Sequence, residues 1–241
     1  MIAYPYSYLL NIIRIFPKTV RQGPIKYHQT IMTETPSSQS DIATHHRRRR
    51  NHRPKTSVPE GEEIYYVLTL QTDNEHHRTM CTLRKRYYPS ALLRVGAHIS
   101  LFRALPGSAL PSLRADVASA AAPINPFDIQ AVGPPARLGR GGVAVPVLGL
   151  EPVESLVQEL QRKWHEVLSR QDRGSFRGHY TLMNKVDDPE VVTRCLEELR
   201  REFEPKGCSG RALGLSLWRY DHGWWRHQTD FPFLGTPIRG S

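Results

Sequence analysis

The sequence predicts an α+β fold of two similar halves, with helices on the outer side of its sheets. Three observations predict it. Ile64-Tyr65-Tyr66-Val67-Leu68-Thr69-Leu70 is a short run of aromatic and β-branched residues, a composition that fits a pleated surface. Val153, Leu156, Val157, Leu160, Trp164, Val167 and Leu168 recur at three- and four-residue spacing, the stripe of an amphipathic helix. Gly214–Tyr220 and Trp224–Phe233 flank Asp221-His222-Gly223 as a closing hairpin. Strand pairs interleaved with helices mark the mixed class.

Order is expected to begin near Glu62. After the first strand, Asp73-Asn74-Glu75-His76 reads as a turn, and a basic helix runs from Thr79 to Tyr88 until Pro89 stops it. Val95–Leu105 reads as a strand with both faces partly buried. The Ala-rich residues 108–122 read as a helix ended by Pro123. Phe127–Val132 and Gly142–Val147 read as strands, with Gly133-Pro134-Pro135 and Gly139-Arg140-Gly141 as the turns between them. The apolar stripe predicts a helix over Pro152–Arg170, and Gly178–Val186 reads as the next strand. Asp188-Pro189-Glu190 opens a helix with proline at its first position, continuing through Phe203.

Charge partitions the chain. Its 241 residues carry a formal net charge of +10, which invites a nucleic-acid reading. Residues 1–59, however, hold ten basic and two acidic side chains, a net of +8. Residues 60–241 hold 23 basic and 21 acidic, a net of +2. We therefore read residues 1–59 as a disordered basic tail and residues 60–241 as the folded domain. Within the tail, His45–Lys55 (HHRRRRNHRPK) repels itself and reads as a solvated linker, a basic arm or a nuclear address. The acid-free first 31 residues resemble a weak mitochondrial presequence, yet contain one Ser and two Arg. Met32 offers a second candidate start. A cytoplasmic or nuclear location is the expectation, with a mitochondrial one as the lesser alternative.

No run of about 18 apolar residues occurs, so no transmembrane helix is expected. Cys81, Cys195 and Cys208 form no CxxC and no metal-ligand spacing, so neither a disulfide framework nor a metal site follows, and no cofactor is expected.

The chemistry concentrates in two tripeptides, His98-Ile99-Ser100 and His179-Tyr180-Thr181, 81 residues apart. On a strand, residues i and i+2 share a face. Each tripeptide then aims an imidazole and a hydroxyl the same way, while Ile99, Leu101, Tyr180 and Leu182 point into the core. One such pair from each half makes a four-group site for a tetrahedral anion, phosphate above all. The tripeptide alone is weak. His28-Gln29-Thr30, His77-Arg78-Thr79 and His227-Gln228-Thr229 match it too, and His227 is the serious rival. Only His98 and His179 are followed by a residue of an apolar, strand-like run and preceded by a small one, Ala97 and Gly178. Either histidine alone reads as structural; the pair reads as a site.

These residues resemble the signatures of the 2H phosphoesterases, in particular the 2′-5′ RNA ligase-like (LigT-like) branch of fungal type. Gly96–Gly107 (GAHISLFRALPG) looks like the first signature and Gly178–Lys185 (GHYTLMNK) like the second. The first has Ser100 where Thr is commoner, and Gly178 replaces the usual Pro or small residue. The resemblance spans residue 62 to about 234. It implies a two-lobed fold of antiparallel sheets facing a central cleft, and metal-independent chemistry on 2′,5′-phosphodiesters or 2′,3′-cyclic phosphates of RNA or nucleotides.

The residues agree with it. His98 and His179 are the candidate catalytic acid and base, because an imidazole titrates near working pH. Ser100 and Thr181 are the candidate phosphate-binding donors. Lys185, at an even offset from His179, is a candidate substrate contact. Arg103, at an odd offset from His98, is placed by strict alternation on the opposite face, as a surface charge. Trp218, Tyr220, Trp224 and Trp225 read first as hairpin core and second as base-stacking surfaces. Trp164 reads as core. The expected partner is RNA or a nucleotide with a 2′,3′-cyclic or 2′,5′ phosphate, with no membrane and a monomeric state. The alternative is a catalytically inactive RNA- or nucleotide-binding module.

Overall fold

A computed structural model describes residues 63–204 and 206–235; readings of the basic tail lie outside them. Among the described residues, eight strands and four α-helices follow in the order β1 (Tyr65–Thr72), α1 (Asn74–Tyr87), β2 (Ile99–Pro106), α2 (Leu110–Ala121), β3 (Phe127–Ala131), β4 (Ala136–Leu138), β5 (Gly142–Leu148), α3 (Glu151–Lys163), β6 (His179–Met183), α4 (Pro189–Phe203), β7 (Cys208–Asp221) and β8 (Trp224–Pro232).

Every strand pairing is antiparallel. β1 sits between β2 and β7, and the second part of β7 also carries β8. β5 carries β4 and β6. The two groups are joined by β3, which pairs both β5 and the first five residues of β7.

The helices cross over between these groups. α1 follows β1 but packs on β6, where the buried Tyr180 and His76 are hydrogen-bonded at 3.1 Å. The other His76 nitrogen, Nδ1, bonds the Ser209 carbonyl at 3.0 Å, so Nδ1 carries the proton and Nε2 accepts from the tyrosine hydroxyl. α3 follows β5, but the Trp164 side chain at its end packs at 5.1 Å on Phe102 of β2, and its Nε1–H donates to Asp116 of α2. Each half is thus closed by a helix that belongs in sequence to the other.

Several boundaries differ from the sequence expectation; the strand expected from Val95 opens at Ile99, and the one expected to reach Val186 ends at Met183. Asp73 opens a helix: its carboxylate accepts from the Glu75 and His76 N–H groups, and the turn-forming residues after it form the first helical turn. Asp and Asn serve turns and helix caps alike, so composition could not separate the two. α3 ends at Lys163 and not near Arg170, because Trp164 is anchored to Phe102 and Asp116 and the chain turns there. Leu168 still reaches the core, fully buried, from outside the helix. β4 forms between the two stretches read as turns, held by pairing with β5. β7 starts at Cys208, six residues before Gly214. Gly210 weakens a strand reading, but a Cβ there would lie 2.3 Å from the His76 ring.

Candidate functional site

His98 immediately precedes β2 and His179 opens β6. Both side chains are half-buried, as are Ser100 and Thr181 two residues on, while Ile99 and Tyr180 between them are buried. The two imidazoles are held identically. His98 Nδ1 bonds the Gly96 carbonyl and His179 Nδ1 the Arg177 carbonyl, each 2.8 Å away and each two residues back. A carbonyl only accepts, so Nδ1 carries the proton and the lone pair of the neutral ring is left on Nε2. Among the described residues neither the Ser100 nor the Thr181 hydroxyl is committed to another group.

The rival tripeptides are arranged otherwise. His77 lies on α1 with Nε2 at 3.4 Å from Cys81 Sγ. His227 lies on β8 with Nε2 3.0 Å from Asp230 Oδ1 and its ring edge-on to Trp218. His28 lies outside the described residues.

Arg103 corrects the alternation argument. Thr69 of β1 faces Ser100 and the adjacent Leu68 faces Phe102, so β2 spends two residues against one of β1. This β-bulge shifts the parity of everything after it. Phe102 turns into the core, fully buried, and Arg103 comes to the face that carries Ser100. Its charge bears on both imidazoles.

Asp172 holds the bulge from outside. Its carboxylate accepts from the Arg103 N–H at 2.9 Å, the Ala104 N–H at 3.0 Å and the Ser169 hydroxyl at 3.0 Å. Asp172 is only 5% exposed and belongs to the segment between α3 and β6, so a residue just before His179 shapes the strand of His98. Burial pushes its carboxyl pKa up, against the pull of these three donors.

Positive charge and desolvation act on both histidines. Burial lowers His98 first, with the charges of Arg84, Arg103 and His179 adding, and the Gly96 bond opposing; the result is a pKa of about 3. His179 is lowered by burial and by Arg103 against its Arg177 bond. The Trp225 ring lies 4.3 Å from the His98 ring and walls it on one side. The hairpin tip reaches the same segment, where Arg94 Nη1 donates to the His222 carbonyl at 2.8 Å. The hairpin tryptophans are therefore not core. Trp224 is 47% exposed, and Trp218, half-buried, lies 6.4 Å from Trp225.

Lys185 lies beyond the end of β6, exposed, with φ of 61°. The left-handed backbone there breaks the alternation by which an even offset would place it beside His179.

The family model of the 2′-5′ RNA ligase superfamily matches residues 72–224, more than half of the chain. The chain belongs to the 2′-5′ RNA ligase superfamily. Among solved structures, TT0787 of Thermus thermophilus is similar at 16% identity and a TM-score of 0.46, covering 71% of this chain and 98% of that one. E. coli LigT complexed with NADP+ has 13% identity and a TM-score of 0.44, covering 72% and 99%. E. coli LigT complexed with 3′-AMP has 13% identity and a TM-score of 0.46, covering 71% and 99%. No curated protein matches.

In this member of the 2′-5′ RNA ligase superfamily, the small residue before the second histidine has a steric reason. A Cβ on Gly178 would stand 2.0 Å from Leu150 Cδ1. The Gly178 carbonyl also accepts from Val147 N–H, 3.1 Å away, which extends the pairing of β5 with β6 up to His179. Gly178→Ala is expected to cost about 1–3 kcal/mol through this overlap and to displace His179. Urea denaturation measures the loss; an unchanged midpoint would show that Leu150 yields freely.

Two features of this site were out of reach of strand alternation. The bulge that turns Arg103 leaves no periodic mark. The signal available was Arg103 itself, a cation in an otherwise apolar run (SLFRAL), which a fully buried strand does not tolerate. Trp225 had only its place among the hairpin aromatics to recommend it.

Proposed function

We propose that the protein is a phosphodiesterase or RNA ligase-like enzyme acting on 2′,5′-phosphodiester or 2′,3′-cyclic phosphate groups of RNA or nucleotides, with His98 and His179 as general base and acid. One observation carries the reading: two imidazoles, each fixed through Nδ1 to the carbonyl two residues back, each freeing Nε2, and each followed by an uncommitted hydroxyl. A histidine kept for structure needs no such twin.

In hydrolysis of a cyclic phosphate, the neutral imidazole takes a proton from water at Nε2 as the water oxygen attacks phosphorus. The bond from phosphorus to one ribose oxygen breaks, and the second imidazole, protonated, gives its Nε2 proton to that oxygen. Three positive groups bear on His98, and Arg103 alone among them bears on His179. His98 is therefore the base and His179 the acid in this direction; ligation exchanges the roles. Ser100 and Thr181 donate to the non-bridging oxygens, where charge builds in the transition state. Arg103 neutralises that charge, and Lys185 remains a candidate contact to more distant parts of the substrate.

The test is turnover of a 2′,3′-cyclic nucleotide and a 2′-5′ linked dinucleotide in EDTA. A protein inert on both that still binds RNA is the binding module instead.

The pH dependence has a definite sign. The active form has one neutral and one protonated imidazole, so kcat/KM peaks between the two free-enzyme pKa values. Both lie below the ordinary 6.5, so the peak falls on the acid side of 6.5. Arg103→Gln removes a positive charge that depresses both and moves the peak to higher pH. A wild-type peak well above neutrality, or one that Arg103→Gln leaves in place, contradicts this account.

A further inference from the structure

Arg84 has no part in the proton transfers, yet it is the most buried cation of the described residues, 4% exposed. It faces no carboxylate among them; its charged and titratable neighbours are Tyr88, Cys81 and His98, with the Tyr88 ring 4.0 Å below the guanidinium. A buried charge without a counter-ion is costly unless its donors are used. They are used on the Tyr88 side chain and on two backbone carbonyls. Arg84 Nε donates to Val95, three residues before His98, at 3.2 Å, and Nη1 donates to Thr181, two residues after His179.

We propose that Arg84 is a positioning residue, whose one guanidinium ties the segment leading into His98 to the strand carrying His179 and so sets the two imidazoles against each other. It can do so because α1, though it follows β1, packs on β6. A guanidinium suits this role because it is planar, always charged, and donates in two directions at once. Lysine, a point donor, holds one carbonyl or the other. The carbonyls that receive Arg84 belong to Val95, immediately before the first motif segment, and to Thr181 within the second, so losing the tie frees the spacing of His98 and His179. Its charge also faces His98 together with Arg103 of β2 and His179 of β6, while Trp225 of β8 closes the remaining side.

This inference rests on the two-histidine reading, and the experiment separates their failures. Full-length wild type, Arg84→Lys and Arg84→Met are assayed on 2′,3′-cyclic AMP in EDTA, and the imidazoles are titrated by NMR without substrate. A misplacement of about 1 Å at a reacting centre costs on the order of 100-fold. Arg84→Met is expected to lose about that factor in kcat and to raise the His98 titration midpoint. Arg84→Lys is expected to keep the midpoint near wild type, because it keeps the charge, yet to recover less than a tenth of kcat. A merely structural arginine would lower thermal stability without separating these two readouts. Should Arg84→Met not fold, Arg84→Gln, which keeps an amide donor in the same space, replaces it. A kcat within threefold of wild type in both variants, with His98 unmoved, overturns the proposal. Should the wild type itself be inert, the proposed activity fails while the titration still decides on Arg84: an unmoved His98 midpoint in the uncharged variant overturns it.

Discussion

Alanine at His98 or at His179 is expected to lower kcat on a 2′,3′-cyclic nucleotide by about 10²–10⁴-fold, the range one positioned proton transfer supplies. Each ring's hydrogen bond within the described residues goes to the carbonyl two residues back in its own segment, and the long-range contact that is lost is the one between the His98 and Trp225 rings. Circular dichroism and the thermal midpoint should therefore stay near wild type while turnover collapses. The double variant should fall little below the worse single one, because an acid without its base performs only half of one exchange. Activity surviving in either single variant would remove that histidine from the mechanism. His227→Ala is the control. Its imidazole is bonded to Asp230 on β8, and it should leave the pH profile in place.

Asp172→Ala is the second large effect, and it acts on stability as well as turnover. The carboxylate accepts three bonds, two of them from consecutive backbone N–H groups on the edge of β2. Stranding buried donors costs about 1–3 kcal/mol each. With the Ala104 N–H buried and the Arg103 N–H partly so, the expected loss is about 3–5 kcal/mol. That is a large share of the stability of a domain this size. Urea denaturation checks it. Without its clamp the bulge has no reason to persist, and Arg103 loses its place beside the imidazoles. At temperatures where the variant remains folded, the pH maximum should then shift in the same direction as in Arg103→Gln. A stability loss under about 1 kcal/mol would mean that water replaces the carboxylate at this edge.

The local geometry of the candidate site was legible in the two tripeptides, because strand periodicity is local. Ile99 and Tyr180 are buried and their flanking polar residues are not, as the i, i+2 rule requires. The same rule failed at Arg103 and Lys185. A bulge and a left-handed residue each reset the parity, and both arise from partners remote in sequence or from the end of a strand. The helix stripe at Val153–Leu168 likewise identified the buried residues correctly but overran the helix. A turn pinned at Trp164 delivers Leu168 to the core as well as a further helical turn would.

By itself the sequence determined the α+β class, most strands and helices and the concentration of charge in residues 1–59, and it singled out His98-Ser100 and His179-Thr181 as the candidate pair. All of these depend on composition or on spacing within a few residues. Tertiary structure decided the rest. The exchange of α1 and α3 between the sheet groups puts Arg84 on the Thr181 carbonyl, and the Asp172 carboxylate clamps β2. The curling of the β7–β8 hairpin brings Trp225 to His98. Each of these contacts joins residues 68 or more positions apart, whose meeting is set by how the halves pack and leaves no period in the chain.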